Sequence, residues 1–172
     1  MVGYRMELRI YPDPILEKKA QPVENIDGGV KVIADRMAKV MHANRGIGLA
    51  APQIGILSRI LIVNLGEGCR VLINPEIVGG EDESVMEEGC LSLPTIKVPV
   101  KRMEKIFIQG WNMESKEVKP ELAGLPARVY QHEIDHLQGI LIIHHIFRLE
   151  KELLIKTIME DPRRPYNKGT IS

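Results

Sequence analysis

Aromatic residues are scarce in this sequence, 4% of 172, so a core has to be built from Ile, Leu, Val and Met within a 44% apolar total. Cysteine is scarcer still. Cys69 and Cys90 are too few for a disulfide framework, and in a reducing compartment both are expected to be thiols. Net charge is absent as well: 23 lysines plus arginines balance 23 aspartates plus glutamates. That balance leaves no overall field to steer a polyanion or an anionic membrane, so nucleic-acid recognition and membrane binding gain no support. No stretch approaches the ~20 apolar residues of a membrane span, and the opening MVGYRMELRIYPDP lacks the apolar region of a secretory signal. A cytoplasmic protein is expected. There is no internal repeat, low-complexity tract or linker, so residues 1–172 read as one domain. A domain of that length buries roughly 70% of its unfolded surface.

Short periodic segments fill the chain. Val30, Ile33, Ala34, Met37 and Met41 recur at helical spacing, with Asp27 placed to cap the helix and Asn44–Gly46 to stop it. Then come β-prone runs at Arg59–Asn64, Arg70–Val78, Ile96–Lys101 and Lys105–Trp111, with a turn at 111–115 and a further strand near Glu117–Lys119. Their close spacing favours antiparallel pairing. Gly124-Leu125-Pro126 opens a second helix running to about Gln138, since proline suits a first turn, and Gly139 stops it. Ile140–Ile146 reads as β-prone, Leu149–Met159 as a last helix, and 161–172 as a loose tail.

The second helix carries Gln131-His132-Glu133-Ile134-Asp135-His136, a match to H-E-x-x-H. Residues four apart share a helical face, so His132 and His136 can bind one metal while Glu133, one step round, reaches a bound water. The same residues could be a solvated face, but the flanking Val129, Ile134 and Leu137 would bury one side. A hydrolytic site wants three protein ligands and an open position. The longer protease pattern asks for histidine at 142, where Ile142 stands, and His144 and His145 are out of register. Glu150 is close in sequence for a downstream glutamate ligand. Cys90 is the better candidate: thiolate suits soft or borderline metals, and Gly89 before it frees the backbone to turn the sulfur inward. On its own Cys90 would more often be a small buried hydrophobe, as is expected of Cys69.

Three blocks, Gly46-Ile47-Gly48-Leu49-Ala50-Ala51-Pro52-Gln53, Glu88-Gly89-Cys90-Leu91-Ser92 and the H-E-x-x-H segment, resemble in order the signature motifs of peptide deformylases. Residues 11–16 and Leu72-Ile73-Asn74-Pro75 are similar to further segments of that family, so the resemblance spans about residues 8–160. It implies that Cys90, His132 and His136 hold iron(II), replaceable by nickel, cobalt or zinc, and that Glu133 takes a proton from water. It implies also that the Gln53 side-chain amide and the Leu91 backbone N–H stabilise an oxyanion. In the family, substrate lies along the Gly48 segment like an added strand. Arg102 aligns with a family arginine near the substrate, although many members have proline where Lys101 stands. Ile47, Met86 and Val129, apolar neighbours of the motifs, are expected to line a methionine pocket. Near His144, in the segment after Gly139, many relatives carry an acidic residue, which leaves the role of His144 and His145 open between packing and stray metal binding.

The expected fold is α+β, with antiparallel β-sheets around a central metal-binding H-E-x-x-H helix, an N-terminal amphipathic helix and a C-terminal helix. The expected activity is removal of the formyl group from N-formylmethionyl nascent polypeptides, with the ribosome as a further contact. A zinc endopeptidase is disfavoured by Ile142 and Cys90. A metal-binding or ribosome-docking module without catalysis is disfavoured by Glu133 and Gln53, which metal holding alone does not need.

Overall fold

The structure, a computed structural model, describes residues 8–160. The proposed tail at 161–172 lies outside them. Helix α1, Gly28–Ala43, starts where the Asp27 carboxylate accepts the Gly29 and Val30 N–H groups at 2.8 and 3.3 Å, two donors a helix N-terminus otherwise leaves unmet. Its buried stripe is Val30, Ala34, Met37 and Met41, four of the five expected positions, with Ile33 half-buried beside them. Strands β1 (Gly48–Ala50), β2 (Ile60–Val63), β3 (Arg70–Cys90), β4 (Leu93–Trp111), β5 (Glu117–Val118) and β6 (Glu121–Ala123) join in one sheet, every pair antiparallel. Its order is β1-β2-β3-β4-β5, with β6 also on β4, so β1 is an edge strand. Helix α2, Leu125–Leu137, follows β6, and α3 spans Arg148–Glu160. No helix among the described residues is long and apolar enough to cross a membrane.

The alternation of β2 explains why all four of its residues are buried. Leu61 and Val63 pack in one cluster with Tyr130, Ile134 and Leu137 of α2, while Ile60 and Ile62 pack in another with Met37 and Met41 of α1. The sheet is therefore sandwiched between the two helices, and a strand covered on both faces reads as an unbroken apolar run. Burying each such Ile or Leu contributes about 1.5–3 kcal/mol. Strand β1 follows the same rule: Leu49 joins the α1 cluster and Ala50 the α2 cluster.

Three expectations from the sequence need correction, the simplest being Cys69, which is exposed and not a buried hydrophobe. The runs at Arg70–Val78, Ile96–Lys101 and Lys105–Trp111 are not separate short strands but parts of one long hairpin, β3 and β4, that continues through the acidic stretch 81–83. Cross-strand pairs replace apolar burial there: Glu83 with Lys101 at 2.5 Å and Glu81 with Lys105 at 3.5 Å. Register shifts near Ile77 and Gly79 let the ladder bend without breaking. The Ile140–Ile146 run is also not a strand. Gly139, at φ 75°, ends α2 where any Cβ would overlap the Glu17 backbone, and Ile142–His144 then form a 3-10 turn. His144 Nδ1 accepts the Leu141 N–H at 3.0 Å, and its other nitrogen meets Glu17 at 3.1 Å, so the segment is satisfied locally rather than by a sheet neighbour.

Candidate active site

Cys90 is the last residue of β3, and the two-residue turn Leu91-Ser92 reverses the chain beneath α2. His132 and His136 descend from α2 one turn apart, their rings edge to face with centroids at 5.0 Å. Cys90 Sγ lies 3.2 Å from His136 Nε2, and one ligand atom each of Cys90, His132 and His136 falls within 4.8 Å of the others. A thiolate and two imidazoles fit a divalent first-row metal with one position left open. Among the described residues no other group of three such side chains gathers this closely, and Glu150 is exposed on α3.

His132 turns Nδ1 to Glu88 Oε2 at 3.0 Å, which fixes the ring and leaves its other nitrogen for a metal. Glu88 is saturated. Its Oε1 accepts from Arg102 Nε at 2.6 Å and Arg128 Nη1 at 2.7 Å, and its Oε2 also accepts from Arg102 Nη2 at 2.9 Å. Burial alone would raise this carboxyl's pKa, but His132 and the two arginines outweigh it and hold the group down at about 2. Arg102 Nη1 donates on to Asp135 at 2.9 Å, and Asp135 meets His145 Nε2 at 2.8 Å. Arg102 was expected near the substrate. At 6% exposure it stands behind the ligands, and it is not among the residues that line the cleft.

Glu133 lines the same cleft. It is 4% exposed, with Oε2 sealed and unpartnered, and burial lifts its pKa to about 7 against the pull of His132 and Arg102. Gln53, 1% exposed, is pinned through Oε1, which accepts the Ala50 N–H at 2.8 Å. Its Nε2 is 3.1 Å from Ser92 Oγ and 3.8 Å from Cys90 Sγ. Gly48 comes so close to Glu133 that a Cβ there would overlap Oε1. These residues open on a cleft of about 1090 Å³, wide enough for several residues of a peptide and lined by Ile47, Gly48, Met86, Leu91 and Val129 among others.

Residues 6–152 match the family model described as polypeptide deformylase. The chain belongs to that family. It is 44% identical over 156 residues to the peptide deformylase of Thermodesulfovibrio yellowstonii, covering 88% of this chain and 94% of that one. The crystal structure of peptide deformylase from Thermotoga maritima superposes with a TM-score of 0.80 at 43% identity, covering 83% of this chain and 97% of its own. That of a peptide deformylase from Legionella pneumophila gives 0.85 at 34% identity, with 89% and 92% covered. As a deformylase the chain is a metal-dependent hydrolase that removes the N-formyl group from nascent polypeptides, and its metal site is Cys90, His132 and His136. The endopeptidase alternative falls with this result.

Sequence reasoning missed Arg128, Asp135 and the bracing role of Glu88. A signal for Arg128 was present, because it precedes His132 by four residues on the same helix face, where a charge has to find a buried partner.

Proposed function

We propose that iron(II) is the resident metal, and that Glu133, Gln53 and Leu91 carry out formyl hydrolysis around it while Gly48, Ile47, Met86 and Val129 hold the substrate. The observation that supports this most is the Glu133 carboxyl, buried with one oxygen sealed and with its pKa lifted to about 7, one residue from His132. Bound metal supplies a Lewis acid and lowers the pKa of water toward neutrality. Glu133 takes the proton of the attacking water as the formyl carbon becomes tetrahedral, then delivers it to the departing amine nitrogen. Gln53 Nε2, fixed by the Ala50 bond, and the Leu91 N–H at the turn after Cys90 donate to the oxyanion. The C–N bond breaks, and formate and a free N-terminus leave. Gly48 gives the substrate backbone its close approach along β1, and Ile47, Met86 and Val129 receive the methionine side chain. Arg102 acts from behind by holding Glu88 against His132. The working place is the cytosol, beside the ribosomes that supply formylated chains.

Product analysis by mass spectrometry tests the reading. Fully metallated protein should release formate from formyl-Met-Ala-Ser, leave acetyl-Met-Ala-Ser about 100-fold slower because the extra methyl displaces the reacting carbon, and spare internal peptide bonds. Internal cleavage without formate would overturn it. Metal identity has its own test. The iron form should lose activity in air faster than the nickel form, since iron(II) and the Cys90 thiolate are both oxidisable, and Cys69→Ser should not alter the difference. Equal decay of the two forms removes iron chemistry at Cys90 as the cause.

A further inference from the structure

The face of α2 that lines the cleft runs Leu125, Arg128, Val129, His132 and Glu133, a spacing that keeps all of them on one side of the helix. His132 and Glu133 serve the chemistry. Arg128 and Val129 hold the same face one turn earlier, about 5.4 Å along the axis. The sulfur of a formylmethionine stands two methylenes beyond Cα, a reach that can bring it to the Arg128 turn when the formyl group lies beside Glu133. The wall expected there was apolar. Arg128 puts a guanidinium into it.

Arg128 is 6% exposed and tightly held. A guanidinium has five N–H donors. Nη1 donates to Glu88 Oε1 at 2.7 Å and to the Val100 carbonyl at 3.0 Å, while Nη2 donates to the Ser84 carbonyl at 3.0 Å and Ser84 Oγ at 2.9 Å. Four donors are engaged, and Nε–H has no protein partner among the described residues. Nor is Nε sealed: the side-chain atoms both buried and unpartnered are Glu133 Oε2 and His136 Nδ1. Arg128 is among the residues that line the cleft.

We propose that the Arg128 Nε–H is a specificity determinant that donates to the group at the methionine sulfur position, so that this enzyme deformylates N-formylmethionine sulfoxide chains as well as N-formylmethionine chains. The inference rests on the deformylase reading above. A thioether is a weak acceptor and norleucine's methylene is none, whereas a sulfoxide oxygen is a strong acceptor that a purely apolar wall would leave unmet. A cationic donor makes a stronger bond to it than a neutral one would, and four hydrogen bonds keep this donor in place before substrate arrives. The reaction itself is unchanged: water adds to the formyl carbon, the C–N bond breaks, formate leaves, and the S=O bond is untouched.

The test compares kcat/KM of the metallated enzyme on formyl-Met-Ala-Ser, its sulfoxide, and its norleucine analogue. The sulfoxide should match or exceed norleucine, where an apolar wall would leave it roughly 10- to 100-fold below. In Arg128→Leu and in Arg128→Lys, which keeps the charge but has no Nε–H, the sulfoxide-to-norleucine ratio should fall about tenfold or more. If neither variant folds, the wild-type ratio decides alone. A wild-type ratio of about one-tenth or less, or an unchanged ratio in a folded variant, overturns the inference while formyl-Met turnover leaves the deformylase reading standing. Absence of formyl-Met turnover overturns both.

Discussion

Glutamine in place of Glu133 is expected to leave the fold and the metal content intact and to lower formate release by about three orders of magnitude, within the range that general acid–base groups supply. The substitution is isosteric in a site where one carboxyl oxygen already lacks a partner, so packing changes little. What disappears is the proton acceptor. Burial holds the carboxyl near pKa 7, where a group can both take a proton from water and release it to an amine at neutral pH. Elemental analysis and circular dichroism would establish that metal and fold survive. Turnover within about tenfold of the parent would remove Glu133 from its role.

The second large effect is expected at Gly48. Its φ is not in the left-handed region, so alanine strains no backbone. The added Cβ, however, overlaps Glu133 Oε1 and comes to 3.0 Å from Val129 Cγ1. Glu133 is the softer neighbour, being the end of a side chain, and it yields by swinging away from the position where it meets water. Gly48→Ala should therefore cost roughly 100-fold in kcat/KM, the scale of a misplacement of about 1 Å. The melting temperature should fall by only a few degrees, corresponding to about 1 kcal/mol or less. Parent-like kinetics in this variant would mean that close approach at 48 is not required.

Much of this was legible in the sequence because it is local. The α1 stripe, the Asp27 cap and the α2 start at Gly124-Leu125-Pro126 follow from spacing within a few residues, and His132 and His136 share a face by helix geometry alone. Cys90 was joined to them by its ligand chemistry and then by the family resemblance, not by spacing, since it reaches His136 across 46 residues. What stayed hidden depends on distant partners. Glu81 and Glu83 read as loop residues because their lysines sit on a strand about 20 positions later. The hold of Glu88 and Asp135 on Arg102 from two elements was not legible, because nothing nearby in sequence announces it. Ile140–Ile146 has strand composition, yet Leu141, Ile142 and Ile143 bury themselves against the Tyr11 and Leu93 cluster around a 3-10 turn at Ile142–His144. Apolar content reports burial there and not backbone shape.

Strand β1 has a consequence for turnover. It is three residues long and pairs on one side only. Short edge strands are poor templates for another chain, which is how folded proteins discourage unwanted pairing. A polypeptide laid along this edge gains too few ladder bonds to stay on their account, and its residence depends on anchors at its end. Hydrolysis removes the formyl anchor. On the proposed placement of substrate along β1, the trimmed chain keeps only its methionine side chain and this short ladder, so an edge short enough to discourage aggregation is also expected to favour product release.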